Sequence, residues 1–192
     1  MKKIKTLIIT TALAVVLTNV NLAEGLKKAD SFSLKDYNGK THSLLDYKNS
    51  SAIVLIYVST QCPVSNAYNE RMADLYESYK GKNVSFIGIN SNKAEDIEEI
   101  KKHAAENNLQ FTVLKDINNV IADKFAASFT PEVYVLNDKQ EIVYHGRIDD
   151  NRRKENVQVS DLSDALDEIL AGKKVTNPKT KAFGCTIKRV GK

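Results

Sequence analysis

Cys62 stands between a strand-like run and a helical pattern, a position that changes what a thiol can do. Residues 52–58, Ala-Ile-Val-Leu-Ile-Tyr-Val, are apolar without a break and mostly β-branched, and Pro63 directly follows the cysteine. Proline suits the first helical position, because its missing N–H would lack an intrahelical partner anyway. A sulfur at such a helix start faces unpaired amides and the positive end of the helix dipole. A thiolate is stabilised there, and its pKa is expected below the roughly 8.5 of a free cysteine. The crevice beyond the carboxyl ends of strands is also where open α/β sheets bind ligands.

The other cysteine, Cys185, lies in a basic tail, residues 173–192. A bond between the two thiols closes a segment of 123 residues. Chain entropy alone would make such a link worth roughly 4–5 kcal/mol, so a permanent staple is one reading. A distal resolving thiol is the other, since a thiol at a helix start is a good leaving group and its disulfides exchange readily. The three histidines, His42, His103 and His145, share no ligand spacing with one another or with a cysteine pair. No metal site is expected from them. Lys101 and Lys102 read as solvated surface.

The elements that must position Cys62 follow from the hydrophobic pattern. Residues 32–44 read as an entry hairpin turning at Asn38-Gly39. Residues 52–58 and 84–89 are runs of the kind buried on both faces of a parallel sheet. Between them Val64, Tyr68, Met72, Leu75 and Tyr79 recur at helical spacing, which predicts one helix over 64–80 stopped by Gly81. Strand, helix, strand is a right-handed crossover unit. A helix over 94–107, a short strand over 111–114 and a third helix over 118–127 come next. Thr130-Pro131 then opens a strand, and residues 137–140 turn it into an antiparallel partner over 142–145. A last helix covers 161–171, with Leu162, Ala165, Leu166 and Ile169 inward. The 192 residues carry no repeat, low-complexity stretch or linker, so residues 26–172 are expected to form one domain ahead of the tail.

Three lysines precede the apolar run of residues 7–17, and Ala23-Glu24-Gly25 offers a small-x-small cleavage site. An 11-residue run is a secretory signal layout rather than a span, which needs about 20 residues. Residues 1–25 are therefore expected to be a signal peptide, and the protein exported to a periplasmic or other extracytoplasmic compartment. Cleavage after Gly25 removes three Lys and one Glu, leaving 167 residues with 25 Lys+Arg and 23 Asp+Glu, a net charge of +2. That excludes a nucleic-acid partner recruited by bulk charge. No stable membrane insertion is expected after cleavage. An oxidising compartment is where two thiols exist as a disulfide.

The order strand, cysteine, helix, strand, helix, Thr-Pro, hairpin, helix resembles the thioredoxin superfamily. More narrowly it is similar to the exported redoxin and peroxiredoxin-like, AhpC/TSA-like branch. The residues that carry the likeness are the entry pattern 32–47, Gln61-Cys62-Pro63-Val64-Ser65, the strand from Thr130-Pro131, Gly146-Arg147-Ile148-Asp149-Asp150, and Thr180-Lys181-Ala182-Phe183-Gly184-Cys185. It covers nearly all of residues 30–188. It implies a thioredoxin-like α/β fold, a central mixed sheet flanked by helices, with extra elements before the third helix and a C-terminal tail. No cofactor is implied.

Two departures bear on activity. Where thioredoxins have Cys-x-x-Cys, this chain has Ser65 in the second position, so Cys62 has no neighbouring resolving thiol. Peroxiredoxins have Pro-x-x-x-Thr-x-x-Cys. Reading back from Cys62 gives Ser59 and Leu55 at the Thr and Pro places, and in the thioredoxin alignment the peroxide-attacking position is Ser65. Peroxidase activity is therefore expected to be weak.

The resemblance also implies a cis Thr130–Pro131 bond opposite Cys62, with the Thr130 backbone exposed to dock a partner chain. A proline at a strand start is equally what an element without function would show, because it forfeits a ladder donor least there. If Pro131 lies beside Cys62, the returning strand brings Gly146, Arg147, Asp149 and Asp150 to the same rim. Arg147 would then steady a thiolate or an acidic substrate group, or else pair with Asp149 on the surface. The reading that follows is a thiol–disulfide oxidoreductase with Cys62 attacking, Cys185 resolving, and a protein thiol or an external reductant as partner. A non-catalytic module that holds a partner protein or a soft metal ion is the alternative, and a weak thiol peroxidase a further one.

Overall fold

The computed structural model describes residues 26–191. The expected signal peptide, residues 1–25, lies outside the described residues. The entry hairpin is β1 (Ser33–Asp36) and β2 (Thr41–Ser43). Its turn is held by the Asp36 carboxylate, which accepts from the amides of Asn38 at 2.8 Å and Lys40 at 3.0 Å. Next come β3 (Ala52–Tyr57), α1 (Pro63–Asn66), α2 (Asn69–Tyr79), β4 (Val84–Asn90), α3 (Ile97–Glu106) and β5 (Thr112–Lys115). Then follow α4 (Val120–Phe125), β6 (Phe129–Thr130), β7 (Glu132–Asn137), β8 (Ile142–Gly146), α5 (Asp161–Leu170) and β9 (Cys185–Thr186).

Seven strands form one sheet in the order β2-β1-β5-β4-β3-β7-β8. β3, β4 and β5 run parallel, whereas β7 and β8, at one edge, and β1 and β2, at the other, pair antiparallel. α3 and β5 are the elements added ahead of α4. β3 lies at the centre, and its period of two divides the core. Ala52, Val54 and Ile56 face Met72 of α2, Ile100 of α3 and Leu162 and Leu166 of α5. Ile53, Leu55 and Tyr57 face Ile121 and Phe125 of α4, with Ile187 from the tail packed among them. A strand buried on both faces is what the unbroken apolar run requires. Among the described residues, no helix is long and apolar enough to cross a membrane.

Two elements differ from the sequence expectation. The single helix over 64–80 is divided into α1 and α2. The Tyr68 amide closes a tight turn on the Ser65 carbonyl at 2.9 Å. Tyr68 stands as the N-cap of α2, and its buried hydroxyl donates to Asp149 at 2.9 Å. The third helix starts later than residue 118, because Asn118 and Asn119 sit at φ of 63° and 61°, a region asparagine tolerates better than most residues. Asp116 accepts from the amides of Ile121 and Ala122 at 3.0 and 2.9 Å, satisfying orphan donors at the start of α4.

Candidate functional site

Cys62 is the N-cap of α1 and is only 4% exposed. Its Sγ accepts from the Ser65 amide at 3.2 Å, and its thiol reaches the Thr130 carbonyl at 3.3 Å. The residue that stands where a second cysteine would be expected is fully buried and employed. The Ser65 hydroxyl accepts from the Ser59 amide at 3.2 Å and so fixes the approach to the cysteine.

The link 58–61 between β3 and α1 is clamped from below by α3 and the residues before it. Glu95, 3% exposed, accepts from the Ser59 hydroxyl at 2.5 Å, the Thr60 amide at 2.8 Å, the Gln61 amide at 3.4 Å and Asn90 Nδ2 at 2.5 Å. Because the Ser59 proton points to Glu95, its lone pairs are free to accept from the Cys62 amide at 3.0 Å and the Gln61 amide at 3.3 Å. Glu99 adds an outer contact, accepting from Thr60 Oγ1 at 2.5 Å and Gln61 Nε2 at 3.1 Å. A buried carboxylate needs such donors to offset its lost hydration.

The Thr130–Pro131 peptide bond is cis. Thr130 is buried and pairs antiparallel with Cys185 across β6 and β9. This pairing brings Cys185 to Cys62, close enough for each thiol to shift the other's pKa. Both are free thiols, with Cys62 buried and Cys185 half-buried. Burial pushes the Cys62 thiol up. The Cys185 thiol, the Ser65 amide and Thr130 outweigh it, so the net direction is down from the ordinary thiol value. Cys185 moves the other way: burial and the neighbouring Cys62 push it up. The Cys62 sulfur is thus the one built to carry negative charge.

The strand edge expected to receive a partner chain at Thr130 is filled by this chain's own tail. Arg147 likewise has other commitments. Its Nε donates to Asp161 at 2.7 Å and its amide to Thr180 Oγ1 at 3.1 Å. The Asp149 that sequence reasoning offered as its surface partner is buried instead. It accepts from Arg71 at 2.6 Å and Tyr68 at 2.9 Å, while the Arg71 guanidinium lies 3.6 Å over the Tyr68 ring. Of the expected site residues, Cys62, Cys185, Thr130 and Pro131 are brought together, and Arg147 is tied to α5.

Sequence reasoning missed three polar groups. Glu95 and Arg71 lie on charge-rich segments in which nothing local marks them as buried. Glu132 follows the cis proline and accepts from the amides of Ser128 at 2.7 Å and Phe129 at 2.9 Å and from His145 Nε2 at 2.7 Å. It holds β6, and with it Thr130, against β8. The other histidines are likewise in polar contacts: His42 with Asp36 at 3.0 Å, and His103 with Asn69 at 3.1 Å.

Residues 26–145 match the model of the AhpC/TSA family. A chloroplastic peroxiredoxin Q from Populus jackii is 32% identical over 116 residues, which is 57% of this chain and 53% of that protein. The chain spans about half the length of the curated relatives it matches. A hypothetical protein from Sinorhizobium meliloti 1021, solved by crystallography, superposes with a TM-score of 0.83 at 29% identity, covering 90% of this chain and 98% of that one. The thioredoxin domain of a thiol-disulfide oxidoreductase from Bacteroides vulgatus gives a TM-score of 0.56 at 16% identity, over 64% of this chain and 87% of that one, a likeness of fold. With its mixed sheet, helix-capping Cys62 and Thr130–Pro131 element, the chain has a thioredoxin-like fold and belongs to the AhpC/TSA family.

Proposed function

We propose that this protein is an exported thiol–disulfide oxidoreductase in which Cys62 is the attacking thiolate and Cys185 the resolving thiol. The observation that carries the reading is that Thr130 pairs with Cys185 while its carbonyl receives the Cys62 thiol at 3.3 Å, which sets two thiols 123 residues apart side by side, one of them lowered and the other raised in pKa. The Cys62 thiolate attacks one sulfur of a substrate disulfide, a new S–S bond forms, and the other substrate sulfur leaves as a thiolate. Cys185 then loses its proton and attacks Cys62 Sγ. That releases the second substrate thiolate and leaves a Cys62–Cys185 disulfide, which an external thiol reduces. The amide of Ser65 supports the Cys62 thiolate when it leaves. Thr130–Pro131 holds the two sulfurs in register, and Arg147 has no part in this reading.

Export is supported by the layout of residues 1–25, and amino-terminal sequencing of the mature protein checks it, with Leu26 as the expected first residue. Membership of the AhpC/TSA family keeps peroxide reduction as a second reading. Ser65 in the second position and the commitment of the Ser59 hydroxyl to Glu95 weigh against an efficient peroxidase.

The direct test is trapping with a Cys185→Ser variant and a model disulfide. A stable mixed disulfide on Cys62 is expected, because nothing within the chain then resolves it. Failure of Cys62 to form any mixed disulfide would contradict the reading and favour a binding module.

A further inference from the structure

An extended polypeptide recognises a sheet by adding a strand to an open edge, pairing with its free N–H and C=O groups. Beside Cys62 that edge is β6, and the chain's own tail closes it. Thr130 is paired with Cys185 and Phe129 with Thr186, and the Ile187 amide donates to the Ser128 carbonyl at 2.9 Å. The fit leaves no slack. A side chain on Gly184, at φ 157°, would overlap the Thr130 carbonyl.

The tail is fastened on both sides of Cys185. Before it, the His145 amide donates to the Pro178 carbonyl at 2.9 Å, the Thr180 amide to the His145 carbonyl at 3.0 Å, and Phe183 packs on the Tyr68 ring at 6.3 Å. After it, Ile187 is buried in the second core, the Lys188 amide donates to Asn92 at 2.8 Å, and Arg189 donates to Asp123 at 2.7 Å and the Ala127 carbonyl at 2.5 Å. A segment with this many anchors is a fixed part of the fold and not a flap.

We propose that the tail permanently occupies the docking edge at Thr130, so that the Cys62–Cys185 pair exchanges with low-molecular-weight thiols and disulfides rather than with polypeptides. The inference rests on the redox reading above and names its substrate class. Cys185, half-buried where Cys62 is buried, is the point of entry for the reductant, whereas Cys62 remains the thiol that attacks a small disulfide. In the oxidised protein a small thiolate attacks Cys185 Sγ. A bond forms between the two, the Cys62–Cys185 bond breaks, and the electron pair leaves on Cys62 as thiolate. A second small thiolate then attacks the mixed disulfide. It releases the small-molecule disulfide and the Cys185 thiolate, which takes a proton from water.

The test compares reduction of the oxidised, full mature protein by glutathione and by a thioredoxin-type protein dithiol, at equal thiolate concentration. The expected result is that the protein dithiol is no faster than glutathione and that the glutathione adduct maps to Cys185. In an Ile187→Ala/Arg189→Ala variant, which loosens the tail outside the site, the protein dithiol should gain about tenfold on glutathione. A wild-type protein reduced about tenfold or more faster by the protein dithiol would overturn the proposal, while the redox reading stands. A wild-type disulfide that neither thiol reduces would instead overturn the redox reading, and this inference with it.

Discussion

Thr130 and Cys185 are register partners across β6 and β9, and the carbonyl of the same Thr130 receives the Cys62 thiol at 3.3 Å. One residue therefore meets both cysteines, which explains how a cysteine in the tail comes to lie beside the one that follows the central strand.

The two thiols are expected to titrate apart. Burial pushes Cys62 up, but the Cys185 thiol, the Ser65 amide and Thr130 bring it below the ordinary thiol value, while Cys185 lies above it. Thiolate absorbance of the reduced protein against pH should show two steps, the first, from Cys62, below the ordinary thiol value and the second, from Cys185, above it. Cys185→Ala removes one donor and should move the Cys62 step upward. A single step at the ordinary thiol value would mean that these donors do not stabilise the thiolate.

The clamp beneath Cys62 is open to the same measurement. Ser59→Ala leaves the amides of Cys62 and Gln61 and the carboxylate of Glu95 each short of a partner. Unsatisfied buried groups of this kind cost about 1–3 kcal/mol. Thermal unfolding should show that loss, and the Cys62 titration should move up as its sulfur leaves the Ser65 amide. Loss of stability with an unchanged titration would show that the link 58–61 holds its shape without Ser59.

Glu132 links pH to stability. Burial raises its pKa, but His145 and the amides of Ser128 and Phe129 outweigh that, and the net direction is below the ordinary 4.5. A carboxyl lowered in the folded state contributes stability above its unfolded pKa and loses that contribution as pH falls through its folded value. Glu132→Gln should thus cost about 1–3 kcal/mol near neutral pH. In denaturant titrations the gap to wild type should narrow as the pH is taken below 4.5. A gap independent of pH would show that the charge of Glu132 contributes nothing.

Hydrogen peroxide should oxidise Cys62 at about the rate of an ordinary thiolate, because the Ser59 proton is held by Glu95. Stopped-flow oxidation measures this. A rate orders of magnitude higher would mean that other groups activate peroxide here, and would favour the peroxidase reading.

Much of this fold is legible in the sequence because its signals are local. The runs at 52–58 and 84–89, the Asn38-Gly39 turn, the Thr130-Pro131 strand start and the last helix each follow from their own residues. The helix start at Cys62-Pro63 is legible for the same reason. What escapes is long-range. Nothing local marks Glu95, Arg71 and Glu132 as buried, because their partners arrive from other elements. Arg147 and Asp149 lie two residues apart and look like a pair, yet α5 claims one and α2 the other. The hydroxyl of Tyr68, at the break between α1 and α2, finds its partner in Asp149, far along the chain. The sequence allows a bond between Cys62 and Cys185, but only the pairing of β9 with β6 brings them together.

The central claim is that Cys62 and Cys185 form one exchangeable couple. Peptide mapping of the oxidised mature protein without reduction, followed by a glutathione redox titration, tests it most directly. The expected result is a single intramolecular Cys62–Cys185 disulfide with a potential above roughly −300 mV, open to reduction by small thiols. A potential below that would make the bond a structural staple, and two free thiols or only dimers linked between chains would remove Cys185 from the mechanism.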